Sequence, residues 1–208
     1  MTHSASPTSA TDKRGHPVDR HGRMIPVGTW PAGREAPGRL ELVRRLLNTQ
    51  NLENGAELLG DTAELRRWMM QEGCAVSGRI LRADVARVHE LRSLLRGTLF
   101  VHGGGTLGAG ERLTSFAESL PVTFAFPDGV RFVRLGGDVD VFLVTVLATV
   151  HTAMGDRTWT RLRACKHCEW VVYDHSKNNS ASWCTEKACG SRQRARQYRL
   201  RVKQRNNI

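Results

Sequence analysis

No acidic side chain follows Glu186 in this 208-residue sequence, and no apolar run reaches the roughly 18 residues that a membrane-spanning helix needs. The longest run, Val139–Val150, contains Asp140 and two threonines and lies between Asp138 and His151, so it predicts a buried core helix. The first 23 residues hold no apolar signal core, so no export is expected and the expected compartment is the cytoplasm. Also absent are a paired-carboxylate site, a Ser-His-Asp arrangement in motif context and a cofactor fingerprint. The glycine-rich stretch Gly103–Gly110 lacks a following Gly-Lys-Ser/Thr and is expected to be a loop, not a phosphate cradle. These absences argue against a membrane protein and against an enzyme.

Cysteine is scarce as well, with five in the chain, and four of them fall between residues 165 and 189. In a chain that is not exported, such a cluster points to thiols or a metal and not to a disulfide framework. The formal net charge of +11 is equally uneven. Residues 161–208 hold twelve basic and three acidic side chains, whereas residues 1–160 are nearly balanced. A basic, cysteine-bearing end on a neutral body suggests a polyanion contact confined to that end.

Five of the seven prolines lie in residues 1–38, among Ser, Thr, Gly and Arg, and predict a flexible tail. Helical periodicity begins with Leu40, Val43, Leu46 and Leu47. The stretch from Asp61 to Glu64 has capping-box spacing ahead of Leu65, Trp68 and Met69, and Gly73 should end that helix. A third helix is expected from about Asp84, with Val85, Val88, Leu91 and Leu95 inward, and a short fourth over Arg112–Ser119. Val122–Phe126 and Val130–Leu135 read as strands joined by a turn at Pro127-Asp128-Gly129. A helix over Asp138–Met154 follows, and Trp159–Arg163 is expected to be extended. Cys74 stands alone and reads as a structural thiol, and the histidines of this region (His89, His102, His151) are scattered. The expected fold class is α+β: a mainly helical N-terminal domain (residues 39–158) with a small antiparallel hairpin, then a hairpin-plus-helix module (residues 159–208) built on a metal.

That module rests on Cys165, Cys168, Cys184 and Cys189. A two-residue gap lets both sulfurs of a tight knuckle face one ion, and the fifteen residues between the pairs allow a hairpin that returns to it. A redox pair would leave Cys184 and Cys189 unexplained. Haem attachment fails because Glu169 follows Cys168, and iron–sulfur clusters use other spacings. His167 or His175 could in principle replace one thiolate. The expectation is one structural Zn2+ held by four cysteines. Such a closed site has no open position for substrate, and it would largely drive the folding of so short a segment.

After Cys189 the chain is helix-compatible. Ala195, Tyr198 and Val202 form a stripe suited to docking on the metal module. Arg192, Arg196, Arg199 and Lys203 flank it on one side and Arg194, Arg201 and Arg205 on the other. Cationic rows on both flanks of a docked helix suit a groove between two phosphate strands, with DNA the first expected partner.

The run from Cys165 through Trp170–Asp174, Ser176–Asn178 and Trp183-Cys184 to Cys189–Arg192 resembles the CGNR zinc-finger proteins. Glu41–Gln50 (ELVRRLLNTQ) is similar to the opening of that family's N-terminal ABATE domain. The resemblance implies a bacterial transcription regulator with Cys165, Cys168, Cys184 and Cys189 as ligands and Arg192 as the signature arginine. Ser191 replaces the signature asparagine, and Ala181-Ser182 stand where the family often has two arginines. Both departures bear on DNA contact and leave the metal site intact. The reading is a zinc-dependent DNA-binding regulator whose body forms a homodimer, senses a small-molecule effector, or both. The rivals are a zinc-built module for an acidic partner of the transcription machinery and a thiol redox switch.

Overall fold

The structure, a computed structural model, describes residues 10–11, 17–18, 31–52, 55–99, 108–120, 122–125, 131–134 and 136–205. Helix α1 (Leu40–Leu47) buries Leu40, Val43, Leu46 and Leu47, the face its periodicity predicts. Helix α2 (Thr62–Gln71) starts where Asp61 accepts from the N–H groups of Ala63 and Glu64, each at 2.8 Å. Glu64 reaches back to the Gly60 N–H at 3.0 Å, completing a box-like cap. Gly73, at φ +77°, stops this helix in a left-handed turn that only glycine enters freely.

Helix α3 (Arg82–Thr98) starts two residues before the expected Asp84, because the Asp84 carboxylate accepts from the Leu81 N–H at 2.8 Å and so belongs inside the first turn. Helix α4 (Ala109–Glu118) likewise begins earlier than expected, with Gly108 at φ +75° leading into it. Residues Gly103–Leu107 of the expected loop lie outside the described residues, as does His102. Strands Val122–Ala125 and Arg131–Arg134 pair antiparallel, with Val122 opposite Arg134. The turn at Pro127-Asp128-Gly129 and the outer strand residues Phe126, Val130 and Leu135 lie outside the described residues.

Helix α5 (Asp138–Gly155) turns Val139, Phe142, Leu143, Val146, Val150 and Ala153 inward. Phe142 meets Trp68 of α2 edge-on, with ring centroids 5.8 Å apart. By length and composition alone α5 could cross a bilayer, and one such helix does not establish a membrane association. Its inner face is occupied by the body, where burying each large apolar side chain contributes about 1.5–3 kcal/mol.

Trp159–Arg163 departs from the expected extended form. Thr158–Arg161 makes one 3-10 turn, and the strand is Leu162–Ala164. The Asp156 carboxylate accepts from the Thr158 N–H at 2.9 Å, which turns the chain so that Trp159 enters the core. Leu162–Ala164 pairs antiparallel with Val171–Tyr173, Leu162 opposite Tyr173. Alternation divides this finger hairpin. Leu162, Val171 and Tyr173 join the body's core, while Val172, Trp170 and the four clustered cysteines form a second one. The hairpin is therefore a wall shared by both parts of the chain.

Within residues 1–38, where a tail is expected, two places form contacts. Ala10–Thr11 pairs antiparallel with Pro17–Val18. Nearer the body, the Tyr173 N–H donates to the Arg34 carbonyl at 3.0 Å, His175 Nε2 donates to the Glu35 carbonyl at 2.8 Å, and Ala36 is buried. Residues 34–36 lie along the exposed edge of the finger hairpin, whose unpaired backbone groups recruit them.

Candidate metal centre and basic helix

The first cysteine pair stands on a knuckle closed by its own backbone. The Cys165 N–H donates to the Trp170 carbonyl and the Glu169 N–H donates to the Cys165 carbonyl, both at 2.9 Å. Glu169 takes φ +58° to let the chain double back into the strand Val171–Tyr173. Of the second pair, Cys184 precedes and Cys189 sits on a wide π-type turn, Glu186–Gly190, in which the N–H groups of Cys189 and Gly190 both reach the Thr185 carbonyl. The Lys166 N–H donates to the Ser182 carbonyl at 3.0 Å and ties the two halves together.

This brings the four sulfurs within 4.8 Å of one another, all buried and none in a disulfide. Cys168 and Cys184 are 3.7 Å apart, Cys184 and Cys189 3.5 Å, and Cys189 and Cys168 3.6 Å. Four sulfurs bound to one zinc at about 2.3 Å in a tetrahedron would lie about 3.8 Å apart. The three separations among Cys168, Cys184 and Cys189 fit this within a few tenths of an ångström, and Cys165 lies within 4.8 Å of each. Charge points the same way. Hydrogen bonding from Cys168, then from Cys184 and Cys189, holds the Cys165 thiol far below its ordinary range, whereas Cys168 and Cys184 are pushed up. Cys189 is held below its ordinary range as well, and the two that are pushed up, Cys168 and Cys184, need a cation to ionise beside them. The donor set is that of one structural zinc, with Trp170, Val172 and Trp183 as the apolar shell that keeps water away. His175 is committed to Glu35 and is not needed as a ligand.

The insert between the pairs is organised by Asp174, which is fully buried. Its carboxylate accepts from the N–H groups of Ser176 at 2.8 Å and Ala181 at 2.7 Å. Arg161 donates to the carbonyls of Asp174 and Ser176, and Arg163 to the side chain and carbonyl of Asn179. Two of the basic residues of this end are thus spent inside the finger. Ala181 and Ser182 act here through their backbone, so the family's arginines are not needed for the loop to close.

Helix α6 (Ser191–Arg205) carries all seven expected contact residues: Arg192, Arg194, Arg196, Arg199, Arg201, Lys203 and Arg205. None of its residues is buried, which corrects the expected docking of Ala195, Tyr198 and Val202. Tyr198 is 69% exposed. The helix leaves the metal core at Gly190 and packs mainly on the turn Glu186–Gly190, so among the described residues the stripe is left uncovered. A Cβ on Gly190 would lie 2.6 Å from Glu186 Oε2 and 3.2 Å from Trp183 Cδ1, so the close start of α6 favours glycine. Ser191 donates to the Lys187 carbonyl at 2.5 Å, a bond local to the helix start. Arg194 pairs with Glu186, with both side chains mostly exposed.

The sequence of residues 40–154 matches the family described as Putative stress-induced transcription regulator, the ABATE domain, over more than half of the chain. Residues 161–202 match the CGNR zinc finger. The chain belongs to this family. A search of curated proteins returns no match. The ABATE domain and the CGNR finger follow one another in the order the residues implied, and the Cys cluster is the finger's metal centre.

The residues that fasten finger to body carry no local sequence signal. Asn48 of the ABATE domain holds both backbone groups of Val171, and Arg96 of α3 reaches the Glu169 carbonyl at 3.1 Å. Cys74 is half-buried, and burial, with Glu72 nearby, pushes its thiol up, which disfavours the thiolate. His89 hydrogen-bonds the Leu59 carbonyl at 2.9 Å, and His151 is exposed.

Proposed function

We propose that this protein is a zinc-dependent, non-enzymatic transcription regulator of the cytoplasm whose finger and α6 bind DNA. The observation that carries the reading is α6 itself. Seven cations stand on fifteen residues that touch little else, and one of them has an acidic partner among the described residues. Exposed ion pairs contribute at most about 1 kcal/mol, so Glu186 neutralises little of this charge. Two cationic rows on a projecting helix fit a groove bounded by phosphates, and zinc fixes the turn from which the helix departs. Arg192, Arg194, Arg196, Arg199, Arg201, Lys203 and Arg205 are the residues assigned to that contact.

The ABATE domain would carry homodimerisation, effector sensing, or both. A groove of about 770 Å³ between Pro37–Leu40 and the outer face of α5 is the place assigned to a small-molecule effector. Val144, Ala148 and Thr149 line it.

The test is binding of the full chain to a pool of genomic duplex fragments across a salt series. Affinity should fall steeply with salt, by a log–log slope of about 0.9 for each phosphate contacted. Replacing Arg196, Arg199 and Lys203 together by Gln should flatten that slope by about 2–3 and leave zinc content unchanged. Absence of binding to any fragment sinks the reading. A second reading, an acidic protein partner, is favoured by Tyr198 and Leu200, which are 69% and 53% exposed beside the arginines. It predicts that Tyr198→Ala weakens partner capture more than any single arginine replacement does.

A further inference from the structure

The zinc knuckle ends on a carbonyl that belongs, energetically, to the other domain. Glu169, next to Cys168, holds a left-handed backbone conformation that a non-glycine residue keeps only when its surroundings fix it. One restraint is internal, the bond from its N–H to the Cys165 carbonyl. The other is external: Arg96 Nη1 donates to the Glu169 carbonyl at 3.1 Å. The second nitrogen of the same guanidinium donates to the carbonyls of Leu47 and Gln50, the latter at 3.2 Å. Leu47 closes α1, where a helix leaves its last carbonyls without intrahelical partners.

One rigid fork thus bridges the end of α1 and the metal knuckle. A lysine, with a single compact ammonium, cannot span both sides in this way. Burial, then repulsion from Arg92, pushes Arg96 down to about 10, so it stays charged at neutral pH. Its charge also lies near the thiolate cluster, which carries a net −2 once four thiolates bind one zinc.

We propose that Arg96, a residue of the ABATE domain, is a positioning residue of the metal centre, so that zinc binding in the finger and order at the end of α1 are linked. With zinc bound, the Cys165–metal–Cys168 closure fixes Glu169, and the fork holds all three carbonyls. Without zinc the knuckle loosens and the carbonyls of Leu47 and Gln50 lose a fixed partner. Coupling of this kind is reciprocal: whatever rearranges the end of α1 changes zinc affinity by the same factor. The inference rests on the metal assignment and is independent of the DNA reading.

The test uses the full chain. Zinc affinity is measured by competition with a chromophoric chelator in the wild type, Arg96→Gln, Arg96→Lys and Arg87→Gln. Arg87 lies on the same helix but pairs with Asp84 and Asp140, away from the finger. Arg96→Gln should weaken zinc about 10–100-fold, as loss of an outer-shell partner does, with Arg96→Lys failing to restore it. Arg87→Gln should leave zinc affinity within about twofold; an equal loss there would make the effect a general weakening of the body and overturn the proposal. Amide exchange on the wild type gives a second readout that needs no variant to fold. Removing zinc should speed exchange at residues 47–52 while leaving α2 protected. Unchanged exchange at 47–52, or equal acceleration in α2, overturns the linkage.

Discussion

Asn48 grips Val171 by both of its backbone groups: Nδ2 donates to the Val171 carbonyl and Oδ1 accepts from its N–H, each at 2.8 Å. A side-chain amide here replaces the neighbouring strand that the finger hairpin lacks on that side. Both residues are buried, and Val171 faces the body's core with Leu162 and Tyr173. The finger is therefore seated on the ABATE domain by a polar clamp set within an apolar contact.

Asn48→Ala should destabilise the full chain by about 1–3 kcal/mol, the range for a buried polar group left unpaired. Asn48→Asp should cost more than Ala, because it keeps the acceptor but sets a carboxylate oxygen against the Val171 carbonyl. Urea unfolding of the zinc-loaded proteins checks the order. An aspartate variant more stable than the alanine one would contradict the clamp.

The metal centre predicts a stoichiometry. Elemental analysis of the purified chain should give one zinc, and Cys184→Ser should lose it, since Cys184 lies within 3.7 Å of Cys168 and 3.5 Å of Cys189. Cys74→Ser should keep it, as Cys74 packs on the body's core and not in the cluster. Full zinc retention by Cys184→Ser would refute the site.

Glu57 predicts part of the acid limb of stability. Burial works against its charge, but the hydrogen bonds and charge of Arg92, with the Leu59 N–H, outweigh it and hold the carboxyl below its ordinary 4.5. A depressed folded pKa means the contribution is fully present above 4.5 and is lost as pH falls through the lower folded value. Glu57→Gln should therefore flatten the fall in stability below about pH 5. It should also lower stability at pH 7 by about 1–3 kcal/mol, because Arg92, itself buried, loses a charged partner 2.8 Å away. Acid also strips zinc thiolates, so the difference between the two proteins is the quantity to read. A parallel pH profile would show that the pair does not act this way.

Gly190 predicts a geometric requirement. Gly190→Ala sets a methyl against the Glu186 carboxylate, which can swing away, and against the Trp183 ring at 3.2 Å, which is packed on the metal core. The cost should be about 1–2 kcal/mol, at the lower end for overpacking, with zinc stoichiometry kept and the direction of α6 altered. Urea unfolding checks the first part and polyanion affinity the second.

The body's helices were readable because Leu40, Val43, Leu46 and Leu47 recur at helical spacing, and Asp61 and Gly73 mark ends by chemistry that acts within one turn. The metal ligands were readable for the same reason: their spacing is local. What stayed hidden depends on contacts far apart in sequence. Asn48 meets Val171 across 123 residues, and Arg96 meets Glu169 across 73. Nothing near Arg96 distinguishes it from Arg87, which lies on the same helix and pairs instead with Asp84 and Asp140. The stripe on α6 misled because an apolar spacing shows that a helix could dock and says nothing of whether a surface waits for it.

That bare helix gives the last prediction. A fifteen-residue helix without tertiary cover is marginal in water. Here it is weakened further by like-charge neighbours, Arg192 with Arg196 and Arg199 with Lys203, each costing about 0.2–0.5 kcal/mol. Arg192 also sits in the first turn, where the helix dipole disfavours a cation. Salt should therefore strengthen α6 by screening, and a polyanion should do so at low salt by direct neutralisation. Amide exchange in residues 192–205 should be fast in the free protein at low ionic strength and slow markedly once duplex DNA is added. Deleting the chain after Gly190 should leave the unfolding midpoint of the rest within error, because α6 contributes little to either core. Cutting instead after Thr160 would strip Leu162, Val171 and Tyr173 from the body. A stable α6 at low salt, or a large loss of stability on removing it, would mean that the helix is held by something other than its ligand.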